Sequence, residues 1–293
     1  FFYFAAFAFA LYGIERFCHS QTEGFSVRRI CASMPLPADL ARNTTDPTSL
    51  SQVAALLNQP FYYLSKGAQV YVFASADGLY VIKCFRFDHL APPPWTRWFR
   101  LPLCAERIRL EKMVKRLTGL YKDLNSYRIA FQEIPEETGL LYVHLNTKEL
   151  QGTALTLCDK LGIVHRIDAS RMHFVVQKRA ALVYPTLEKL LQQEDLHKAR
   201  AALFSLVHLL ETRYAKGIFD QDPNLSTNFG FLGTQAVQID AGRFCFEVRP
   251  LSAQEQQEGI TRITKGLYGF LQKRSPPLAH YLSQTIEHLC TDN

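Results

Sequence analysis

GIFDQDPNLSTN (217–228), followed by AVQIDAG (236–242), is the stretch on which the fold of this chain is read. Gly217 closes a helical pattern, because glycine enters the left-handed conformation that ends a helix at no steric cost. Asp220, Asp222, Asn224 and Asn228 then crowd a loop before the apolar run Ala236–Ile239, which reads as a short strand ending on Asp240. A carboxylate at the end of a strand and two residues before Gly242 is held on a rigid element beside a turn. Asp and Asn also bond their own backbone in ordinary polar turns, so the loop taken alone has that reading too.

Upstream, Leu196, Ala199, Leu203, Leu206, Leu210 and Tyr214 recur at helical spacing over 196–216, and 185–193 suits a shorter helix. Further back, QVYVFA (69–74) and LYVIKCF (79–85) are β-branched and aromatic runs flanking Ser75-Ala76-Asp77-Gly78, a hairpin with Asp-Gly at its turn. Lys83 lies between apolar residues of the second strand, and Gly67 in LSKGAQV (64–70) lets backbone amides approach an anion just before the first. The stretch 104–135 reads as helix, 140–145, 153–158 and 172–177 as strands, and 254–273 and 277–290 as helices. A strand-rich first half with one inserted helix precedes a helical second half, which is an α+β layout.

Taken in order, these parts resemble the protein-kinase-like superfamily. The turn with Gly67 and the strand with Val81-Ile82-Lys83 are similar to the glycine-rich loop and V-A-I-K lysine. Asp222, Asn228 and Asp240-Ala241-Gly242 are similar to H-R-D-x-x-x-x-N and D-F-G. The resemblance covers roughly 61–245 and implies a two-lobed fold, with a strand-rich N-lobe at 61–180 and a helical C-lobe at 181–293. It implies ATP and Mg²⁺ as cofactors: Gly67 and Lys83 on the phosphates, Asp222 orienting the acceptor hydroxyl, Asn228 and Asp240 on the metal. A helix glutamate should pair with Lys83; Glu106, Glu111 and Glu133 are the choices, with Glu133 preferred.

The chain departs from the family pattern in three places. Gly67 stands alone where G-x-G-x-x-G is usual. Asp222 lies six residues before Asn228 rather than five, so the loop needs a one-residue bulge, and Asp220 is a candidate for the same task. About fifty residues follow Gly242 without A-P-E. The resemblance therefore implies an atypical kinase acting on a protein, small molecule or lipid; the alternative is an inactive pseudokinase serving as a binding or scaffold module.

Composition narrows the remaining classes. Of 293 residues 47% are hydrophobic and 20% charged, which is ordinary globular usage. The seven cysteines form no CxxC pair, so zinc ribbons and disulfide frameworks are not expected. No G-x-S-x-G, H-E-x-x-H or dinucleotide-binding glycine set starts a hydrolase or dehydrogenase reading. The net charge is +6, and nine Lys/Arg fall between Arg97 and Arg128, either a solvated helix face or a surface for acidic lipid or an anionic protein. No nucleic-acid module accompanies them.

Residues 1–14, FFYFAAFAFALYGI, are too few to span a bilayer and read as the end of a membrane anchor, a signal-peptide core or a buried helix. The basic residues Arg16, Arg28 and Arg29 place the following chain on the cytoplasmic side. Expected partners are thus a nucleotide, an acceptor or protein partner, and a membrane touched through 1–14. Residues 18–60, rich in Ser, Thr, Pro and Asn, read as a linker with one helix near 50–58.

Overall fold

The computed structural model describes residues 2–32, 36–37, 40, 47–87, 103–247 and 249–288, with backbone alone at 2, 4–6, 8, 47–49 and 103–105. The proline-rich break at 91–95, Arg97 and Arg100 lie outside these residues. The fold is α+β. Two compact units divide the chain: Phe1–Tyr121 with Tyr142–Gln177, and Lys122–Leu141 with Lys178–Asn293.

The first unit is built on a sheet. Helices α1 (Phe2–Gln21), α2 (Val27–Ile30) and α3 (Pro47–Leu57) precede strands β1 (Pro60–Lys66), β2 (Val70–Ser75) and β3 (Tyr80–Phe85). The long helix α4 (Leu103–Glu133) begins here, and β4 (Leu140–His144), β5 (Ala154–Cys158), β6 (Val164–Asp168) and β7 (Phe174–Lys178) complete a sheet of order β4-β7-β3-β2-β1-β5-β6. The β2–β3 turn forms as Asp-Gly predicts. Asp77 accepts from the Leu79 amide at 2.9 Å, and Gly78 takes a φ of 73°. Phe61, Tyr71, Phe73, Ile82, Phe85, Tyr142 and Phe174 are fully buried, and β3 is buried along its length from Val81 to Phe85.

Helix α1 exposes Tyr3, Phe7, Phe9, Tyr12 and Phe17, and no helix among the described residues is long and apolar enough to cross a membrane. The turn after it docks on the sheet. The Glu23 carboxylate accepts from Tyr63 and from Lys160, both at 2.6 Å, and Tyr71 donates its hydroxyl to the Gly24 carbonyl. Phe25 then packs edge-on against Tyr71 and Phe73, at 5.2 and 5.4 Å between ring centroids. Residues 18–60, read as linker, thus place Phe25, Ile30, Val53 and Leu57 in the core.

Two histidines are buried in the same unit. His144 shares a hydrogen bond with the Tyr142 hydroxyl at 2.9 Å, its ring lies 4.7 Å from that of Phe174, and His173 lies 5.5 Å from the Phe87 ring. Desolvation pushes both imidazoles down to about 4 from the ordinary 6.5, with His173 adding to the shift of His144.

The second unit takes the end of α4, then α5 (Pro135–Thr138), β8 (Ala181–Leu182), α6 (Val183–Gln192), α7 (Leu196–Ala215), β9 (Ile218–Asp220), β10 (Phe229–Leu232), β11 (Gln235–Gln238), β12 (Phe244–Phe246), α8 (Ala253–Arg274) and α9 (Pro276–His288). Its core joins Val183 and Leu187 of α6, Leu203, Leu206 and Leu210 of α7, Phe229 of β10, and Leu267, Leu271 and Leu282 of the last two helices. Gly217, at a φ of 67°, ends α7 by donating its amide to the Tyr214 carbonyl. Ser252 and Glu255 start α8 with a reciprocal capping box.

β10 runs between β11 and β8, and at Gly230 the backbones are too close for a side chain. A Cβ there would sit 2.5 Å from the Ala181 carbonyl oxygen and 2.9 Å from Ile239 Cδ1. Gly230→Ala should therefore cost about 1–3 kcal/mol, read as a lower urea midpoint. Gly269→Ala in α8, where nothing lies within 4 Å, should gain about 0.5–1 kcal/mol. Equal midpoints for the two variants would refute the close approach at Gly230.

Candidate functional site

Asn228 immediately precedes β10, and this residue organises the polar loop. Its side-chain amide donates to the Asp222 carbonyl at 2.8 Å, while its own carbonyl accepts from the amides of Ile239, at 2.7 Å, and Asp240, at 3.3 Å. Asp222, Asn228 and Asp240 are thereby brought together, although twelve residues separate the last two in sequence. Between Asp222 and Asn228 the chain turns around Asn224. Asn224 Oδ1 accepts from the Ser226 amide and hydroxyl at 3.0 and 2.7 Å, and its carbonyl accepts from the Asn228 amide at 2.9 Å. Asp220 and Asp240 make comparable short-range turns, each accepting the amide two residues on. The polar-turn reading and the assembled-site reading thus describe the same atoms.

Asp240 is exposed, and the two hydrogen bonds found on its carboxylate both fall on Oδ1: the Gly242 amide and the Tyr127 hydroxyl, each at 3.1 Å. Tyr127 comes from the end of α4, as does Ser126, whose buried hydroxyl donates to the Ala241 carbonyl and accepts from the Phe244 amide. These bonds pin the Asp240-Ala241-Gly242 turn to the helix. One turn earlier, burial pushes the Asp123 carboxyl up to about 6, against the pull of Arg243 and with help from the Asp240 charge.

Below the loop lies a buried polar core. Arg213 of α7 is fully buried, donates to Gln238 Oε1 at 2.7 Å and stands 3.6 Å from Asp220 Oδ2. Gln238 in turn donates to Asp220. Burial raises the Asp220 pKa, opposed mainly by the Asp222 amide and Arg213, and lowers that of Arg213. β12 pairs with β9 so that Phe244 stands opposite Asp220. Asp220 is therefore committed to holding the loop's base, while Asp222, one turn further, is exposed.

Gly67 and Lys83 belong to the strand-rich unit. Lys83 is buried on β3 opposite Val72, and the Gly67 amide donates to the Val70 carbonyl at 2.9 Å in the β1–β2 turn. Glu133 is exposed at the last residue of α4 in the helical unit, where its carbonyl accepts from the Lys216 ammonium. Glu111 forms an exposed ion pair with Arg107 at 3.1 Å, and Glu106 stands in the first turn of α4.

Asp123, Ser126 and Tyr127 were missed from sequence. Their one signal is spacing: polar groups at i, i+3 and i+4 among Leu120, Leu124 and Ala130, on a face that otherwise reads as core. As to metal, Asp240, Asn228 and Asp222 present the hard oxygen donors that suit Mg²⁺. Among the described residues no group of three or more His, Cys, Asp or Glu is arranged to hold an ion. A cation here would therefore draw on an amide and on oxygens of a bound anion.

No family model matches the chain, and no curated protein matches it. Among solved structures it is similar to the bifunctional kinase-methyltransferase WbdD. A high-resolution crystal structure of that protein matches at a TM-score of 0.38 with 14% identity, over 77% of this chain and 44% of that one. A medium-resolution structure gives 0.36 with 14% identity over 75% and 42%. A co-crystal with the kinase inhibitor LY294002 gives 0.36 with 13% identity over 77% and 45%. The chain spans less than half the length of these structures, and the likeness is too weak to assign any residue a role.

Proposed function

We propose that the chain is an ATP- and Mg²⁺-dependent phosphotransferase of the protein-kinase-like superfamily, acting on a protein, small-molecule or lipid hydroxyl. The observation that carries this reading is the knot at Asn228, which ties the Asp222 carbonyl and the Asp240 amide to one asparagine. Asn228 and Asp240 would hold Mg²⁺, which supplies charge neutralisation for the transferred phosphoryl group. Asp222, exposed at the mouth of the loop, would orient the acceptor hydroxyl and take its proton. Lys83 and the turn at Gly67 would bind phosphate oxygens. Tyr127 and the Gly242 amide hold one oxygen of Asp240, and the other would be offered to the cation.

Calorimetry of Mg·ATP on the full chain tests the reading. Asp240→Asn should weaken binding at least about tenfold. Asp222→Asn should leave binding in place and lower turnover by roughly 10²–10⁴. A well-folded parent that binds no Mg·ATP, or an Asp240→Asn variant that binds as the parent does, would sink the proposal.

A second reading, an inactive binding module, draws on one contact: Asn228 Oδ1 accepts from the Thr227 hydroxyl at 2.9 Å and so already has a partner. Mg-independent nucleotide binding, with no turnover in the parent or in Lys83→Ala, would favour it.

A further inference from the structure

We infer that the cavity between α4 and the ends of β2 and β3, lined by Gln69, Arg86, Lys112, Lys115 and Arg116, binds a phosphate-class anion carried by a soluble ester or a lipid headgroup. The cavity measures about 360 Å³, with Gly119 and Leu120 completing its wall. A water's share of liquid volume is about 30 Å³, so a phosphate or diphosphate fits with room to spare. All seven lining residues belong to the strand-rich unit, and none is a residue of the proposed phosphotransfer site.

The charge arrangement is built by helical periodicity. Lys112, Lys115, Arg116 and Gly119 follow at i, i+3, i+4 and i+7, so three cations and a residue without a side chain share one face of α4. The fourth cation comes from the sheet. Arg86, 7% exposed, donates to the Ala68 carbonyl at 3.2 Å and lies 5.1 Å over the Tyr71 ring, so its guanidinium is held in place. Among the described residues no carboxylate lines the cavity, and Glu111, on the same helix, is paired with Arg107. Four cationic side chains thus line one hollow, which raises the local concentration of anions there.

Phosphate is the ligand class that matches. Guanidinium groups meet its oxygens with paired N–H donors while ammonium groups add point charge. The cluster also accounts for part of the basic stretch between Arg97 and Arg128 that the phosphotransfer reading leaves unused.

Calorimetry with inorganic pyrophosphate on the full chain tests this inference. EDTA keeps metal-dependent nucleotide chemistry out of the signal, so the outcome is separate from that of the kinase reading. Lys112→Gln/Lys115→Gln alters two exposed side chains, and Lys265→Gln/Lys273→Gln on α8 changes the net charge equally elsewhere. The parent should bind pyrophosphate, the cavity pair should weaken it by roughly tenfold or more, and the α8 pair by less than about twofold.

Co-sedimentation with phosphatidylcholine vesicles containing phosphatidylinositol 4-phosphate identifies the source. Capture that the cavity pair abolishes supports a lipid headgroup; pyrophosphate binding without capture supports a soluble ester. A parent that binds no pyrophosphate, a cavity pair that binds as tightly as the α8 pair, or a parent that prefers a polyglutamate peptide would each overturn the inference.

Discussion

Asp220→Ala should destabilise the helical unit by about 3–5 kcal/mol, because it leaves the Arg213 guanidinium buried without its counter-charge. Arg213 is fully buried and Asp220 is 3% exposed, so water does not replace the lost partner. Gln238 bridges the two and loses one of its acceptors in the same step. Urea unfolding followed by circular dichroism reads the loss as a lower midpoint. Replacing both charges, Arg213→Met with Asp220→Leu, should recover much of it, since two apolar groups leave neither charge stranded. A shift no larger than that of a surface substitution, about 0.5 kcal/mol, would mean that the pair does not support the loop. Asn228 and Asp222 rest on that base, so the nucleotide binding proposed above should fall together with stability in the single variant.

Acidification should weaken the strand-rich unit between pH 6.5 and about 4, before most carboxylates titrate. His144 and His173 are held neutral by burial, with pKa values near 4 against 6.5 in an unfolded chain. The unfolded state therefore takes up protons first as pH falls, and stability present above pH 6.5 is lost progressively down to pH 4. At about 1.4 kcal/mol per pH unit, each imidazole accounts for about 3 kcal/mol by pH 4. Asp123 opposes this in the helical unit: its raised pKa near 6 means that stability is gained there as pH falls from 6 toward 3.8. Urea midpoints across pH 7 to 4.5 should show the decline in the parent and about half of it in His173→Leu. A midpoint that stays flat or rises on acidification would contradict the neutral, buried state of the pair.

Local pattern carried most of the secondary structure. The hairpin expected at 69–74 and 79–85 is found at Val70–Ser75 and Tyr80–Phe85, and the helix expected at 196–216 at Leu196–Ala215. Both have sustained periodicity bounded by a turn signal. β6 was not seen because it is an outer strand with only Ile167 buried, so its residues alternate weakly. β9, β10 and β12 are three or four residues long, too short to show a period, and β10 contains a glycine that close packing requires.

The site divides in the same way. Asp222, Asn228 and Asp240 were singled out by the resemblance of their order to the kinase motifs, and their roles stand as proposals. Asp123, Ser126 and Tyr127 join them through contacts that span more than a hundred residues, and no local pattern encodes such closure. Phe25 and Ile30 were hidden for a related reason: isolated apolar residues in polar surroundings have no periodicity until the sheet they meet exists.

The Asn224 turn has a consequence for detection. A signature that fixes the number of residues from the loop aspartate to the asparagine passes over this chain, since one residue is taken up between them. A signature written on backbone atoms, with one asparagine carbonyl receiving the amides of the strand-end aspartate and its predecessor, is indifferent to that length. Chains with the same loop are better sought by that three-point geometry than by letters in a row.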